Sequence, residues 1–139
     1  MAIQITDEWI IDLSEDFQRR VEDNGLIFWK TGITVVATTY RLPEEAARFD
    51  LLNKIQPKIP DDALETLVST QGKIAGLGYT RVQNLESGIK RLALYTFTVS
   101  DTSCLQVAFY LDNPEDLTWA KSVWENIIYQ PKENQSLSP

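Results

Sequence analysis

The chain has 139 residues, no histidine, one cysteine, and thirteen Lys and Arg against twenty Asp and Glu, a formal charge of -7. Without imidazole the commonest general acid/base and metal ligand is missing, and the negative balance is the wrong sign for a phosphate-binding surface, which argues against nucleic acid as a partner. A hydrophobic fraction of 43%, with five Phe, five Tyr and four Trp, is too apolar for a disordered chain and predicts one folded domain.

The first residues, Met1-Ala2-Ile3-Gln4-Ile5-Thr6-Asp7-Glu8, have neither the basic n-region nor the apolar h-region of a secretory signal. No apolar run approaches the ~20 residues that span a bilayer. These features predict a soluble, cytoplasmic protein with no membrane partner, and a lone Cys104, unable to form an internal disulfide, fits a reducing compartment.

Trp9-Ile10-Ile11-Asp12 reads as a first strand, followed by a turn through residues 13–17. Residues 18–22 then meet Asp23-Asn24-Gly25, an Asn-Gly hairpin signal, before Leu26-Ile27-Phe28-Trp29. Thr31-Gly32 punctuates again ahead of the β-branched stretch 33–40. Pro43-Glu44-Glu45 opens a helix whose buried stripe would be Ala46, Phe49, Leu52 and Ile55, ended by Pro57 and Pro60.

A second group of strands follows at 64–70, 73–82, 89–99 and 104–111, joined by short turns that favour an antiparallel meander. The last two are apolar on both faces, so both faces should be covered. Asn113, Pro114 and Asp116 then mark a helix start, with Leu117, Ala120, Trp124, Ile127 and Ile128 on one face, widened by Trp119 and Val123. Residues 1–130 thus form a single α+β domain, and the polar tail 131–139 is predicted to be disordered. The predicted architecture is an antiparallel sheet of about six to eight strands flanked by two helices.

No constellation of residues specifies a reaction, a cofactor or a metal. The acidic pairs Glu44-Glu45 and Glu115-Asp116 fall in first turns of predicted helices, where they answer the dipole; Asp61-Asp62 lies in the linker between them. Gly72, Gly76 and Gly78 fit neither a dinucleotide nor a Walker loop; Gly76 and Gly78 share a strand face and mark a bulge or the close approach of a packed helix. Cys104 has no histidine partner and reads as a buried structural thiol. The basic pairs Arg19-Arg20 and Lys90-Arg91 are too short for a nucleic-acid stripe. Trp29, opposite in phase to Leu26 and Phe28, and Trp119, off the main stripe of its helix, stand out as anchors for a partner surface. Tyr40, Tyr79 and Arg81 join them as residues that would line a surface or groove.

The segment Trp9-Ile10-Ile11-Asp12-Leu13-Ser14-Glu15-Asp16-Phe17 before a hairpin, and Val107-Ala108-Phe109-Tyr110-Leu111 before the helix containing Trp124, resemble the Mog1/PsbP-like domains. The resemblance covers residues 9–129 as a pattern of elements, with Ser14 where that family carries proline. It implies an α/β/α sandwich in a group known for protein binding; no partner-contact residue of the family matches position by position. The reading that follows is a non-enzymatic protein-interaction or accessory module using exposed aromatic and acidic surface, without cofactor or metal. Its alternative is a small-molecule binding domain with a groove beside the sheet, which an enclosed pocket of ~300 Å³ or more would favour. The partner and the oligomeric state are not specified by the residues.

Overall fold

The computed structural model of the chain describes residues 2–13, 16–22, 25–41, 53–71, 74–100 and 102–130. Strands β1 (Ala2–Gln4) and β2 (Trp9–Asp12) are followed by a first meander of β3 (Gln18–Glu22), β4 (Gly25–Lys30) and β5 (Ile33–Arg41). A second meander comprises β6 (Glu65–Gln71), β7 (Ile74–Asn84), β8 (Lys90–Val99) and β9 (Ser103–Leu111). Gly32 and Gly88, both at φ 84°, make the turns between β4 and β5 and between β7 and β8 without the steric penalty a side chain would bring.

The two meanders fuse because β5 pairs with β9 along its whole length, from Ile33 opposite Leu111 to Arg41 opposite Ser103. The result is one antiparallel seven-stranded sheet in the order β3-β4-β5-β9-β8-β7-β6. Trp9–Asp12 is a strand, as its sequence predicts, but it does not join this sheet. It lies between β1 and β10 (Ile128–Tyr129) in a separate three-stranded sheet. The single predicted sheet is therefore two, because segments of three and two residues supply the partners of β2.

The C-terminal helix runs from Leu117 to Glu125. Its predicted first turn is wound more tightly than an α-helix. Asn113 Oδ1 accepts from the Glu115 N–H at 3.0 Å, the Asn113 carbonyl accepts from the Asp116 N–H at 3.0 Å, and Pro114–Asp116 form a 3₁₀ turn. Asn126 stops the helix by returning its side-chain amide to the Ser122 carbonyl at 2.7 Å. Ile127 and Ile128 consequently lie beyond the helix. Ile127 is buried, whereas Ile128 sits in β10 opposite Ile10 with its side chain 53% exposed.

Ala120, Val123 and Trp124 of the helix press on one face of the large sheet, against Phe28, Val35, Leu94, Leu105, Val107, Phe109 and Leu111. Trp9, Ile11 and Leu13 close the same core from the small sheet. On the opposite face Ala75, Leu77, Val99 and Cys104 form a second cluster, covered by Ile55, Ile59 and Phe97. Residues 53–55 are helical and pass into a 3₁₀ turn, Gln56–Lys58. The rest of the helix expected from Pro43 onward, including Ala46, Phe49 and Leu52, lies outside the described residues, as do Asn24, Gly72 and the tail from 131. No helix among the described residues is long and apolar enough to cross a membrane.

Candidate functional site

Every pair in the large sheet keeps one register from end to end, so residues directly opposite one another point to the same face. Trp29, Thr34, Tyr110, Ala93 and Arg81 fall in one row across it. Ile27, Val36, Ala108, Tyr95 and Tyr79 form the next. At ~4.8 Å per strand, Trp29 and Arg81 stand roughly 19 Å apart, with Tyr110 and Tyr95 on the strands between them and Tyr79 on the strand of Arg81.

The three tyrosines touch in sequence. Tyr79 and Tyr95 have ring centroids 5.2 Å apart, and Tyr95 meets Tyr110 edge-on at 5.9 Å. The Arg91 guanidinium lies 4.4 Å above the Tyr110 ring, while its Nε donates to Gln83 Oε1 at 2.6 Å. Arg20 lies 5.9 Å from the centre of the Trp29 ring, and Arg81 pairs with Asp62 at 3.1 Å. All these rings are half-buried, so each offers an apolar flank to solvent. The strand residues of this face include Arg20, Arg81 and Arg91; Arg20 pairs with Glu22 at 3.0 Å and Arg81 with Asp62, whereas Arg91 is held by the neutral Gln83.

Burial pushes the Tyr110 phenol up to about 12, with Tyr95 adding to the rise through its charge and a hydrogen bond. Tyr79 is raised by burial first and Tyr95 second. Both phenols are therefore neutral over the physiological range and present hydroxyls that donate as well as accept.

Of the residues singled out by sequence, Trp29, Tyr79 and Arg81 meet on this stretch of sheet. Tyr40 shares the face but sits at its far end, 50% exposed, with its hydroxyl donating to Gln106 Oε1 at 2.9 Å. Trp119 is not brought together with them. It packs on the other face, stacked on Phe17 at 5.7 Å and edge-on to Phe109 at 6.1 Å. Tyr95, Tyr110 and Arg91 were missed; their signal is the odd-even alternation of β8 and β9, which yields a common face only once the register between strands is known.

A cleft of about 170 Å³ lies where the small sheet meets the end of β5, lined by Thr6, Asp7, Glu8, Trp9, Tyr40 and Arg41 among others. Beside it the Glu8 carboxylate accepts from three hydroxyls: Thr102 Oγ1 at 2.7 Å, Ser103 Oγ at 3.1 Å and Tyr129 at 3.3 Å. Ser103 Oγ also accepts from the indole N–H of the fully buried Trp9 at 2.8 Å. Thr6 Oγ1 holds the Glu8 and Trp9 amides at 3.1 and 3.3 Å, and Ser100 Oγ holds those of Thr102 and Ser103 at 3.2 and 3.1 Å. The serine hydroxyl is thus engaged on both sides, and the carboxylate serves as the acceptor that ties β2, β9 and β10 together.

Gly76 and Gly78 have the packing role their strand position suggests. A Cβ on Gly76 would stand 3.0 Å from Trp124 Cζ2, and one on Gly78 3.3 Å from Trp124 Cη2. Cys104 is 2% exposed, and burial pushes its thiol up to about 12, leaving it protonated and shielded. Among the described residues no three Asp, Glu or Cys side chains converge as metal ligands.

No family model matches the chain, and no curated protein matches it.

Proposed function

We propose that the chain is a non-enzymatic protein-interaction or accessory module, cytoplasmic, whose docking surface is the sheet face bearing Trp29, Tyr79, Tyr95, Tyr110, Arg81 and Arg91. The single observation behind this reading is the half-buried run of three touching tyrosines, with Trp29 two strands from Tyr110 in the same row and guanidinium groups beside Trp29 and Tyr110. Trp, Tyr and Arg are the residues that concentrate binding energy in protein interfaces, because a rigid ring buries much area while a tip or fork still makes hydrogen bonds. A partner presenting carboxylates among apolar side chains is the chemistry this face fits.

The reading extends the fold to an α/β/α sandwich similar to the Mog1/PsbP-like domains. In its support, the C-terminal helix packs on one sheet face, and Ile55 and Ile59 pack on the other, over Ala75, Leu77, Val99 and Cys104 at the end of the docking face away from Trp29 and Arg81. The small-molecule alternative is not carried by the cleft beside Glu8, which at about 170 Å³ is below the ~300 Å³ at which drug-sized ligand pockets begin.

A photoreactive phenylalanine analogue at Thr34, between Trp29 and Tyr110 in the row, tests the surface directly. A crosslinked protein partner from position 34, absent when the probe replaces the exposed Thr118 on the helix, is the expected result. Equal labelling from both positions, or none from 34, contradicts the reading.

A further inference from the structure

The two ends of the large sheet are built differently. At one end β3 is exposed along its whole length, and its sequence Gln18-Arg19-Arg20-Val21-Glu22 places charge on both faces. Antiparallel pairing of β3 with its own copy about its central residue would set Arg20 against Arg20, and like charges directly opposite are destabilising. Such charges are the usual protection of an edge strand.

The other end lacks that protection. Strand β6, Glu65-Thr66-Leu67-Val68-Ser69-Thr70-Gln71, contains no Lys, Arg, Pro or Gly, and no described strand pairs on its outer side. Thr66, Val68 and Thr70 are exposed, Val68 at 71%, and Leu64 just before the strand is 64% exposed. Glu65 is its one charged residue, and it lies at the strand's end, paired with Lys121 of the C-terminal helix at 2.7 Å. Outward backbone N–H and C=O groups on alternate residues of a strand that carries the β-branched Thr66, Val68 and Thr70 are a template for another strand.

We infer that β6 is a homodimer edge, at which two copies of this chain pair antiparallel about a two-fold axis through Val68. The strand is self-complementary, which favours a second copy as its occupant. That register sets Val68 against Val68, Thr66 against Thr70, Leu67 against Ser69 and Glu65 against Gln71. No two like charges meet, and Thr-Thr and Val-Val are favourable cross-strand pairs. An isologous contact of this kind closes after two copies, so it consumes both edges and leaves no growing end. The inference rests on the sheet edge and is independent of the docking face proposed above.

Sedimentation velocity on the full chain, from about 10 μM to about 1 mM, should show a monomer passing to a dimer, since one strand pair is a small interface and its population follows concentration. Val68→Lys, which opposes two ammonium groups at an exposed position, should weaken the dimer at least about tenfold, with the melting temperature at about 10 μM, where the chain is monomeric, unchanged. Residues directly opposite in an antiparallel pair have Cα atoms about 4.5–5.5 Å apart, within disulfide range. Val68→Cys should therefore crosslink to its copy on mild oxidation, with buried Cys104 silent, and Val21→Cys on β3 should not. Thr66→Cys should crosslink with Thr70→Cys in a mixture and with neither alone. A chain monomeric throughout the range, a dimer untouched by Val68→Lys, or Val68→Cys oxidising no faster than Val21→Cys would each overturn the inference.

Discussion

The guanidinium of Arg91 lies 4.4 Å above the ring of Tyr110, on neighbouring strands of the large sheet. The contact is cation–π in character, worth about 0.5–1 kcal/mol where solvent reaches it. It also fixes the orientation of a ring that Tyr95 touches from the other side at 5.9 Å. A side chain held in one rotamer before binding loses less entropy on docking, so this pairing prepares the face as well as stabilising it.

The raised phenols and thiol make stability sensitive to alkali. Burial pushes Tyr110 and Cys104 up to about 12 in the folded chain and raises Tyr79 as well, against ordinary values of 10.0 for tyrosine and 9.0 for cysteine. Below pH 9 both states hold the proton and the contribution is complete. Between about pH 9 and 12 the unfolded chain ionises while the folded one does not, and stability is lost as pH rises. Urea midpoints should fall steadily across that window. Cys104→Ala should flatten the part that begins near pH 9, and Tyr110→Phe the part that begins near pH 10. A midpoint constant to pH 11 contradicts this.

The same burial makes Cys104 chemically silent. Thiol reagents should modify it at the rate of global unfolding, in native buffer at pH 8, and in seconds once urea has unfolded the chain. Rapid labelling of the native protein is the opposing outcome.

Trp124 requires glycine beneath it. Its ring sits where a Cβ on Gly76 would be 3.0 Å away, and its N–H donates to the buried Thr98 hydroxyl at 3.0 Å, so the indole has little freedom to retreat. Gly76→Ala should cost about 1–3 kcal/mol by overpacking, and Gly78→Ala less. In a Trp124→Phe background, which removes the crowded ring edge, the cost of Gly76→Ala should shrink; a double-mutant cycle by urea denaturation measures it.

Glu8 links strands distant in sequence. Glu8→Ala leaves the Thr102, Ser103 and Tyr129 hydroxyls without their shared acceptor and should destabilise by about 1–3 kcal/mol. Glu8→Gln, which keeps one acceptor oxygen, should lose less. Hydrogen exchange should locate the added opening in β2 and β10, the strands this carboxylate ties to β9.

The long strands were legible because period-two alternation and Gly-punctuated turns are local signals, and 33–40, 89–99 and 104–111 match β5, β8 and β9 within a residue or so. The pairing of β5 with β9 was not, since it joins residues some seventy positions apart with nothing local to announce it. Strands β1 and β10 are too short to show a period. The site divides the same way: Trp29 was visible as a tryptophan out of phase with its apolar neighbours, whereas Tyr95 and Tyr110 read as ordinary strand aromatics until register placed them beside Tyr79. Trp119 shows the limit of phase alone, because a residue off the main stripe of a helix still finds Phe17 and Phe109.

The claim that the sheet face is a protein-docking surface is tested most directly by parallel affinity capture. The immobilised native chain, a Trp29→Ala/Arg91→Ala variant and a Thr118→Ala variant of the helix are exposed to the same lysate, with melting curves confirming that all three are folded. A protein retained by the native chain and by Thr118→Ala, and reduced at least about thirtyfold by the face variant, is the expected result for two interface anchors. Equal retention by all three, or no retained protein on any, contradicts the claim.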